Sequence, residues 1–136
     1  MGTLEGKTAL IFGVANHNSI AWAIAQKLAA EGARLAFTYQ ERMEHNVRKL
    51  TANLADTLVV PCDVQRDDEL DAAFAKVGQA FGGLDILIHS VAYAPTEDLR
   101  GRIAAISRSG FLTAVDVSAY SLIAMCKRAE PLMKQQ

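Results

Sequence analysis

The chain has 136 residues, a formal net charge of −1 and 51% hydrophobic residues, which sets it apart from strongly basic nucleic-acid binders and from charge-rich disordered chains. That length supports one core and one domain at most. No run approaches the ~18 uninterrupted apolar residues of a membrane helix, residues 1–7 lack the charged-then-apolar layout of a secretory signal, and Gly6 stands where a myristoylation motif wants serine or threonine. The expectation is a cytoplasmic protein with neither membrane nor nucleic acid as a partner.

In chain order, residues 8–12 read as a strand, and similar apolar runs recur at 34–38, 58–62 and 84–89. One strand in roughly 25 residues is the spacing of βα units and not of hairpins. Continuous apolar runs suit strands buried on both faces, as in a parallel sheet. Between the first two runs Ile20, Ile24 and Leu28 line one helical face and Gly32 supplies the stop. A polar helix spans 41–53. The next carries Asp67, Asp68 and Glu69 in its first turn, where the helix dipole favours acid, then Leu70, Phe74, Val77 and Phe81 on one face before Gly82-Gly83. A long apolar helix covers 116–133, with Pro131 near its end. Right-handed crossovers then predict an α/β fold: a Rossmann-type, doubly wound parallel sheet in three α/β/α layers with about four strands. This is little more than half of a dinucleotide fold of about six strands. Residues 1–136 therefore read as the N-terminal part of a single NAD-binding Rossmann domain, with a fifth strand due near 134–136.

Cys62 and Cys126 have no paired spacing and no neighbouring histidine, so they read as buried thiols, with no metal site and no disulfide framework. Arg100, Arg102 and Arg108 read as a solvated loop face.

The stretch GVANHNSIAWAIA, beginning at Gly13, follows the first strand. A βα turn of this kind binds pyrophosphate when a glycine allows the tight turn, small residues allow close backbone approach, and the helix offers free N–H groups. Gly13 and Ala15 fill the first two roles, and Ser19 is placed to cap the helix or to bond a phosphate oxygen. The competing reading is structural: Gly13 ends a strand and Ser19 caps a helix. The turn's position on the first strand of a parallel sheet, beside the switch point, favours the ligand. At the end of the second strand Gln40 is placed for ribose hydroxyls, while Arg42 keeps a 2′-phosphate open. Asp63 and Val64 close the third strand, placed to bracket an adenine. His89 sits inside an apolar run and reads as a satisfied core histidine. Tyr93 reads as pocket wall or core.

Gly13-Val-Ala-x3-Ser19-Ile20-Ala21, Leu35-Ala-Phe-Thr-Tyr-Gln40, Cys62-Asp63-Val64, His89-Ser90-Val91-x-x-Ala94-Pro95 and Asp116-x-Ser118-x-Tyr120-Ser121 together resemble the bacterial enoyl-[acyl-carrier-protein] reductases of the FabI type, a divergent branch of the short-chain dehydrogenase/reductase superfamily. The chain lacks the T-G-x3-G-x-G turn and the N-A-G of ordinary members, and Asn53 is its last asparagine. The resemblance implies NADH as cofactor, with NADPH less favoured, and contacts to it from Gly13, Ser19, Ile20, Gln40, Asp63, Val64 and Val91. It implies that Ala94 meets the substrate backbone. It implies reduction of the trans-2 double bond of an enoyl thioester on acyl carrier protein, in fatty acid biosynthesis, by a homotetramer. The family's tyrosines and lysine then fall beyond residue 136, so no catalytic residue is assigned here. Ala92 replaces the family's glycine and Tyr93 its phenylalanine. Tyr120 and Lys127 share a helix face, but they follow the fourth strand where the family's catalytic pair does not. Two alternatives stay open: a short-chain reductase acting on a carbonyl, and a non-catalytic nucleotide-binding or assembly module.

Overall fold

The computed structural model describes residues 2–133; Met1 and the fifth strand expected near 134–136 lie outside the described residues. Four parallel strands, β1 (Thr8–Phe12), β2 (Arg34–Tyr39), β3 (Leu58–Pro61) and β4 (Ile86–His89), form one sheet in the order β3-β2-β1-β4. Leu10 is in register with Ala36 on one side and Leu87 on the other. The chain steps outward through β2 and β3 and returns to the far side of β1. The switch point therefore lies between β1 and β4, at their C-terminal ends.

The strand ends follow from chemistry that periodicity does not report. β3 stops at Pro61, which has no N–H for the ladder, and the Cys62 amide still donates to the Tyr39 carbonyl at 2.9 Å. β4 begins at Ile86, two residues later than expected, because the Leu84 amide turns to the Leu132 carbonyl at 3.3 Å.

On one face, α1 (Ile20–Ala30) and α2 (Glu44–Thr51) pack over Ala9, Ile11, Leu35 and Phe37. The face that α1 buries differs from the expected one. Ala21, Trp22 and Ala25 face the sheet while Ile20 is 74% exposed, because the small alanines let the helix approach closely and leave the width for the Trp22 ring. The expected stop is present: Gly32 has φ +97°, and Ala33 closes the end by donating to the Leu28 carbonyl at 3.0 Å. The polar helix expected over 41–53 is shorter, a 3-10 turn at Glu41–Met43 leading into α2.

On the other face, α3 (Asp67–Phe81) ends at Gly82 in the left-handed conformation, as its sequence predicts. The long helix starts eight residues earlier than expected. It comprises α4 (Arg108–Val115), a π turn at Asp116–Tyr120 and α5 (Ser121–Met133). Ser107 is the start signal, its hydroxyl accepting from the Gly110 amide at 2.9 Å, and Arg108 is thus helical rather than in a loop. Arg108–Met133 is long and apolar enough to cross a membrane by length and composition alone, and 28% of its apolar window is buried in the protein. One side packs inward: Val117, Ala124, Met125 and Ala129 are buried against α3 and the sheet, and Arg128 pairs with Asp71 at 2.7 Å and Asp67 at 3.4 Å. Cys62 is buried as expected; Cys126 is not, because it lies on the side of α5 that forms an open apolar groove with Leu87 of β4.

Candidate functional site

The C-terminal ends of the strands open onto a groove of about 940 Å³, lined from β2 by Tyr39 and Gln40, from β3 by Asp63 and Val64, and beyond β4 by Tyr93 and Val117. A cleft of about 170 Å³ joins it along Tyr39, Gln40 and Val64 and extends the wall to Gly13, Val91 and Ala92. Of the residues singled out in the sequence, Gly13, Gln40, Val64 and Val91 thus meet in one cleft, and Asp63 joins them in the larger groove. Ser19, Ile20 and Ala94 line neither.

Gly13 has φ +112°, where an L side chain is strained. A Cβ there would also collide with the Ser90 carbonyl oxygen and lie 2.6 Å from its carbon. The glycine is therefore required by the approach of β1 to the end of β4, whose Ser90 amide donates to the Phe12 carbonyl at 3.1 Å. The tight turn expected of Gly13 is thus present, and the close approach it permits is to the Ser90 backbone.

Ser19 does not cap α1. Its hydroxyl oxygen accepts from the Ala15 amide at 2.9 Å and the Asn16 amide at 3.1 Å, folding the turn back on itself. Among the described residues its own O–H donates to nothing, and the N–H groups of Ile20 and Ala21 have no acceptor, as expected in the first turn of a helix. Three donors therefore stand together at the positive end of the α1 dipole, an arrangement that receives an anion.

At the β2 end Gln40 is exposed, and its amide oxygen accepts from Arg42 Nε at 3.3 Å. The Tyr39 hydroxyl donates to Glu44 at 2.9 Å, and Arg48 pairs with the same carboxylate at 2.8 Å. Burial and the Glu44 carboxylate raise the Tyr39 pKa, and the bond from Arg48 holds Glu44 below the usual carboxylate range. At the β3 end Asp63 accepts from the Gln65 amide at 3.0 Å and donates its own amide to Glu69 at 2.9 Å. Burial, helped by Glu69 and Asp63, pushes the Cys62 thiol up to about 12.

Beyond β4 the chain is pinned from the π turn. Ser118 Oγ accepts from the Tyr93 amide at 2.9 Å and donates to the Tyr93 carbonyl at 3.2 Å. Ser121 donates to the Val117 carbonyl at 2.6 Å, which leaves its oxygen to accept from His89 Nε2 at 2.8 Å. His89 is thus satisfied, as read from its apolar surroundings, and Tyr93, 47% exposed, is pocket wall rather than core. The roles of Ser118 and Ser121 went unread, although both stand in the quoted motif Asp116-x-Ser118-x-Tyr120-Ser121; their signal was two hydroxyls within a helix whose other face is apolar. Tyr120 and Lys127 are exposed and line neither cavity.

The arrangement suits binding rather than bond-making. A polar edge at Gln40 and an apolar slot at Val64 and Val91 lie along the joined cleft, and the free donors of Ser19, Ile20 and Ala21 stand at the start of α1, outside its lining. Its titratable groups are committed: Tyr39 to Glu44, and Cys62 to its protonated form. Among the described residues no group of three His, Cys, Asp or Glu is placed to hold a metal ion. A long, anionic ligand with apolar ends fits; the residues present match the needs of a dinucleotide.

Comparison with known proteins agrees. Residues 13–136 match the family model described as Enoyl-(Acyl carrier protein) reductase. The enoyl-[acyl-carrier-protein] reductase [NADH] FabI of Aquifex aeolicus is 47% identical over 98% of this chain and 50% of its own length. The crystal structure of the Bacillus cereus enoyl-acyl carrier protein reductase with NADP+ and indole naphthyridinone superposes with a TM-score of 0.95 at 45% identity, over 99% of this chain and 54% of that one. The Anaplasma phagocytophilum reductase in complex with NAD superposes at 0.92 with 39% identity, over 98% and 52%. The chain spans about half the length of the curated relatives it matches. By its four-stranded sheet, the turn after β1 and these matches, it belongs to the enoyl-(acyl carrier protein) reductase family.

Proposed function

We propose that the natural protein carrying this chain reduces the trans-2 double bond of an enoyl thioester on acyl carrier protein, using NADH, in fatty acid biosynthesis. Residues 1–136 are the N-terminal part of its single NAD-binding Rossmann domain, and it works in the cytoplasm as a homotetramer. The observation that carries this reading is the anion-receiving turn at Gly13–Ser19–Ile20, set at the switch point of a sheet with a groove along its strand ends.

In this reading the first turn of α1, through Ser19 and Ile20, receives the pyrophosphate, and Gly13 brings β1 and β4 close enough to form its floor. Gln40 bonds the hydroxyls of the adenosine ribose, Asp63 and Val64 flank the adenine, and Val91 packs against the nicotinamide ribose. Ala94 offers its backbone to the acyl thioester. When bound, NADH supplies the hydride that goes to C3 of the substrate. Negative charge then grows on the thioester oxygen, and preorganised donors lower that barrier. We place those donors, a tyrosine hydroxyl and a lysine, in the half of the relatives' length that this chain does not match.

The test is turnover by the natural protein with a crotonyl thioester of acyl carrier protein, following loss of NADH absorbance and identifying the saturated thioester by mass. Oxidation of NADH only with a 3-oxoacyl thioester would make it a carbonyl reductase. Tight NADH binding without turnover on either substrate would make it a nucleotide-binding module.

A further inference from the structure

We propose that Ser118 is a positioning residue that fixes the spacing between the cofactor and the substrate; this rests on the functional reading above. The peptide it holds is that of Tyr93. One hydroxyl satisfies both sides of it, accepting from the Tyr93 amide at 2.9 Å and donating to the Tyr93 carbonyl at 3.2 Å. Tyr93 stands between Val91, assigned to the nicotinamide ribose, and Ala94, assigned to the acyl thioester. A shift of this peptide therefore moves the two contacts together and relative to the groove floor.

The surroundings explain why a helix must do this work. β4 ends at His89, and regular backbone pairing ends with the Ser90 amide on Phe12. Tyr93 is in neither strand nor helix, so its N–H and C=O have no ladder to join. The hydroxyl comes from the π turn Asp116–Tyr120. Such a turn inserts one extra residue into the helix and is frequent at functional sites. Two more contacts run from this turn and the residue after it: Gln65 Nε2, in the loop after β3, donates to Asp116 at 3.3 Å, and His89, the last residue of β4, donates to Ser121 at 2.8 Å. Val117 between them is buried and lines the groove. The π turn thus ties the loops after β3 and β4 to one rigid element, and Ser118 is the tie to the peptide between the two ligand contacts.

The test separates positioning from general stability by using two ligands on the natural protein. ADP occupies only the adenosine and diphosphate part of the groove; NADH also needs the wall beyond β4. In Ser118→Ala the affinity for NADH falls about tenfold, the equivalent of ~1.4 kcal/mol, in line with losing a hydroxyl that serves two backbone groups. The affinity for ADP stays within about twofold, since each twofold is only a few tenths of a kcal/mol. Ser118→Thr keeps the hydroxyl and restores NADH binding. Should Ser118→Ala fold poorly, Ser118→Cys keeps the size while offering only a weak donor and acceptor, and the same split is expected. Equal losses for ADP and NADH, or no loss for either, would overturn the proposal. Failure of the unsubstituted protein to bind either ligand would instead bring down the nucleotide reading on which it rests.

Discussion

The loops that follow β3 and β4 have the same topological task, walling one side of the groove, and they are built in opposite ways. The loop after β3 is held mainly by local bonds, with one long tie from Gln65 Nε2 to Asp116 at 3.3 Å. Asp63 and Glu69, six residues apart, are bonded at 2.9 Å, Gln65 returns to Asp63 at 3.0 Å, and Arg66 pairs with Asp68 and Glu69 at 3.2 Å each. The chain after β4 has no such local set. Tyr93 relies on Ser118, 25 residues on, and His89 on Ser121, 32 residues on. It leaves Leu99 72% and Ile103 83% exposed. Exposed ion pairs are individually weak, so the β3 wall gains its order from short range and little chain entropy rather than from charge. The β4 wall is only as rigid as the helix that holds it. In the proposed reading the adenosine end of the groove is thus set mainly by local bonds, and the nicotinamide end by distant packing.

Gly13 meets the β4 side at Ser90, and its substitution gives the largest expected effect. Gly13→Val places a β-branched side chain at φ +112° against the Ser90 carbonyl. NADH binding should fall below detection by calorimetry. The contact with Ser90 adds a loss of thermal stability, because the end of β4 must move away from β1. The effect should be uneven. Far-UV circular dichroism should still report the helices, while amide exchange around 90–94 speeds up more than around 63–66. Retained NADH affinity in a folded variant would show that neither wall needs this glycine.

This contrast also marks how far the sequence could be read. Strand existence, parallel order and the stops at Gly32 and Gly82 follow from apolar runs and glycines, which are local signals. Gly13, Gln40, Asp63 and Val64 sit at strand ends, so locating the strands located them. What was not legible depends on contacts between distant residues. The position of Ser19 before α1 allows either a cap or a phosphate contact, and only the folded turn shows its oxygen taken by Ala15 and Asn16. The helix start at Arg108 was missed because α4 leaves Phe111 and Leu112 more than half exposed, so its apolar residues trace no buried stripe. The π turn has no periodic signature at all.

The two cysteines extend the comparison from the β3 wall to the exposed side of α5. Cys62 lies at the closed β3 wall with its pKa pushed up to about 12, so at pH 8 roughly one molecule in ten thousand carries its thiolate, the reactive form. Cys126 is exposed on α5. Native protein should take up one equivalent of iodoacetamide, mapped to Cys126, with Cys62 labelled only on unfolding. The same shift gives a sign for stability. A thiol whose folded pKa is raised contributes in full below its ordinary value near 9, and that contribution is lost as pH rises towards 12. Urea midpoints should therefore fall between those pH values, and fall less in Cys62→Ala. Equal labelling of both thiols in native protein would mean that the β3 wall opens readily enough to expose Cys62 as fully as Cys126 on α5.

The smallest expected effect tests the β2 corner of the preformed wall, where the choice between NADH and NADPH falls. Gln40 offers neutral hydrogen bonds to ribose hydroxyls, and Glu41 beside it is exposed and repels a 2′-phosphate. Two arginines are near enough to oppose this. Arg48 is engaged by Glu44 at 2.8 Å and by Tyr39 at 3.3 Å, which leaves Arg42, held on the Gln40 amide oxygen at 3.3 Å. In the proposed reading the Gln40 side chain acts twice, as a ribose partner and as a tether on Arg42, the cation placed beside it to meet a 2′-phosphate. The natural protein should bind NADH more tightly than NADPH by about tenfold, or ~1.4 kcal/mol. Gln40→Ala should narrow that ratio from both directions, weakening NADH and freeing Arg42 for NADPH, while Arg42→Ala should widen it. Because the corner is built locally, Ser118→Ala should leave the ratio unchanged even as it weakens both dinucleotides. Equal dissociation constants for the two cofactors in the unsubstituted protein, measured by calorimetry at one ionic strength, would remove Gln40 as the discriminator and hand the choice to Arg42.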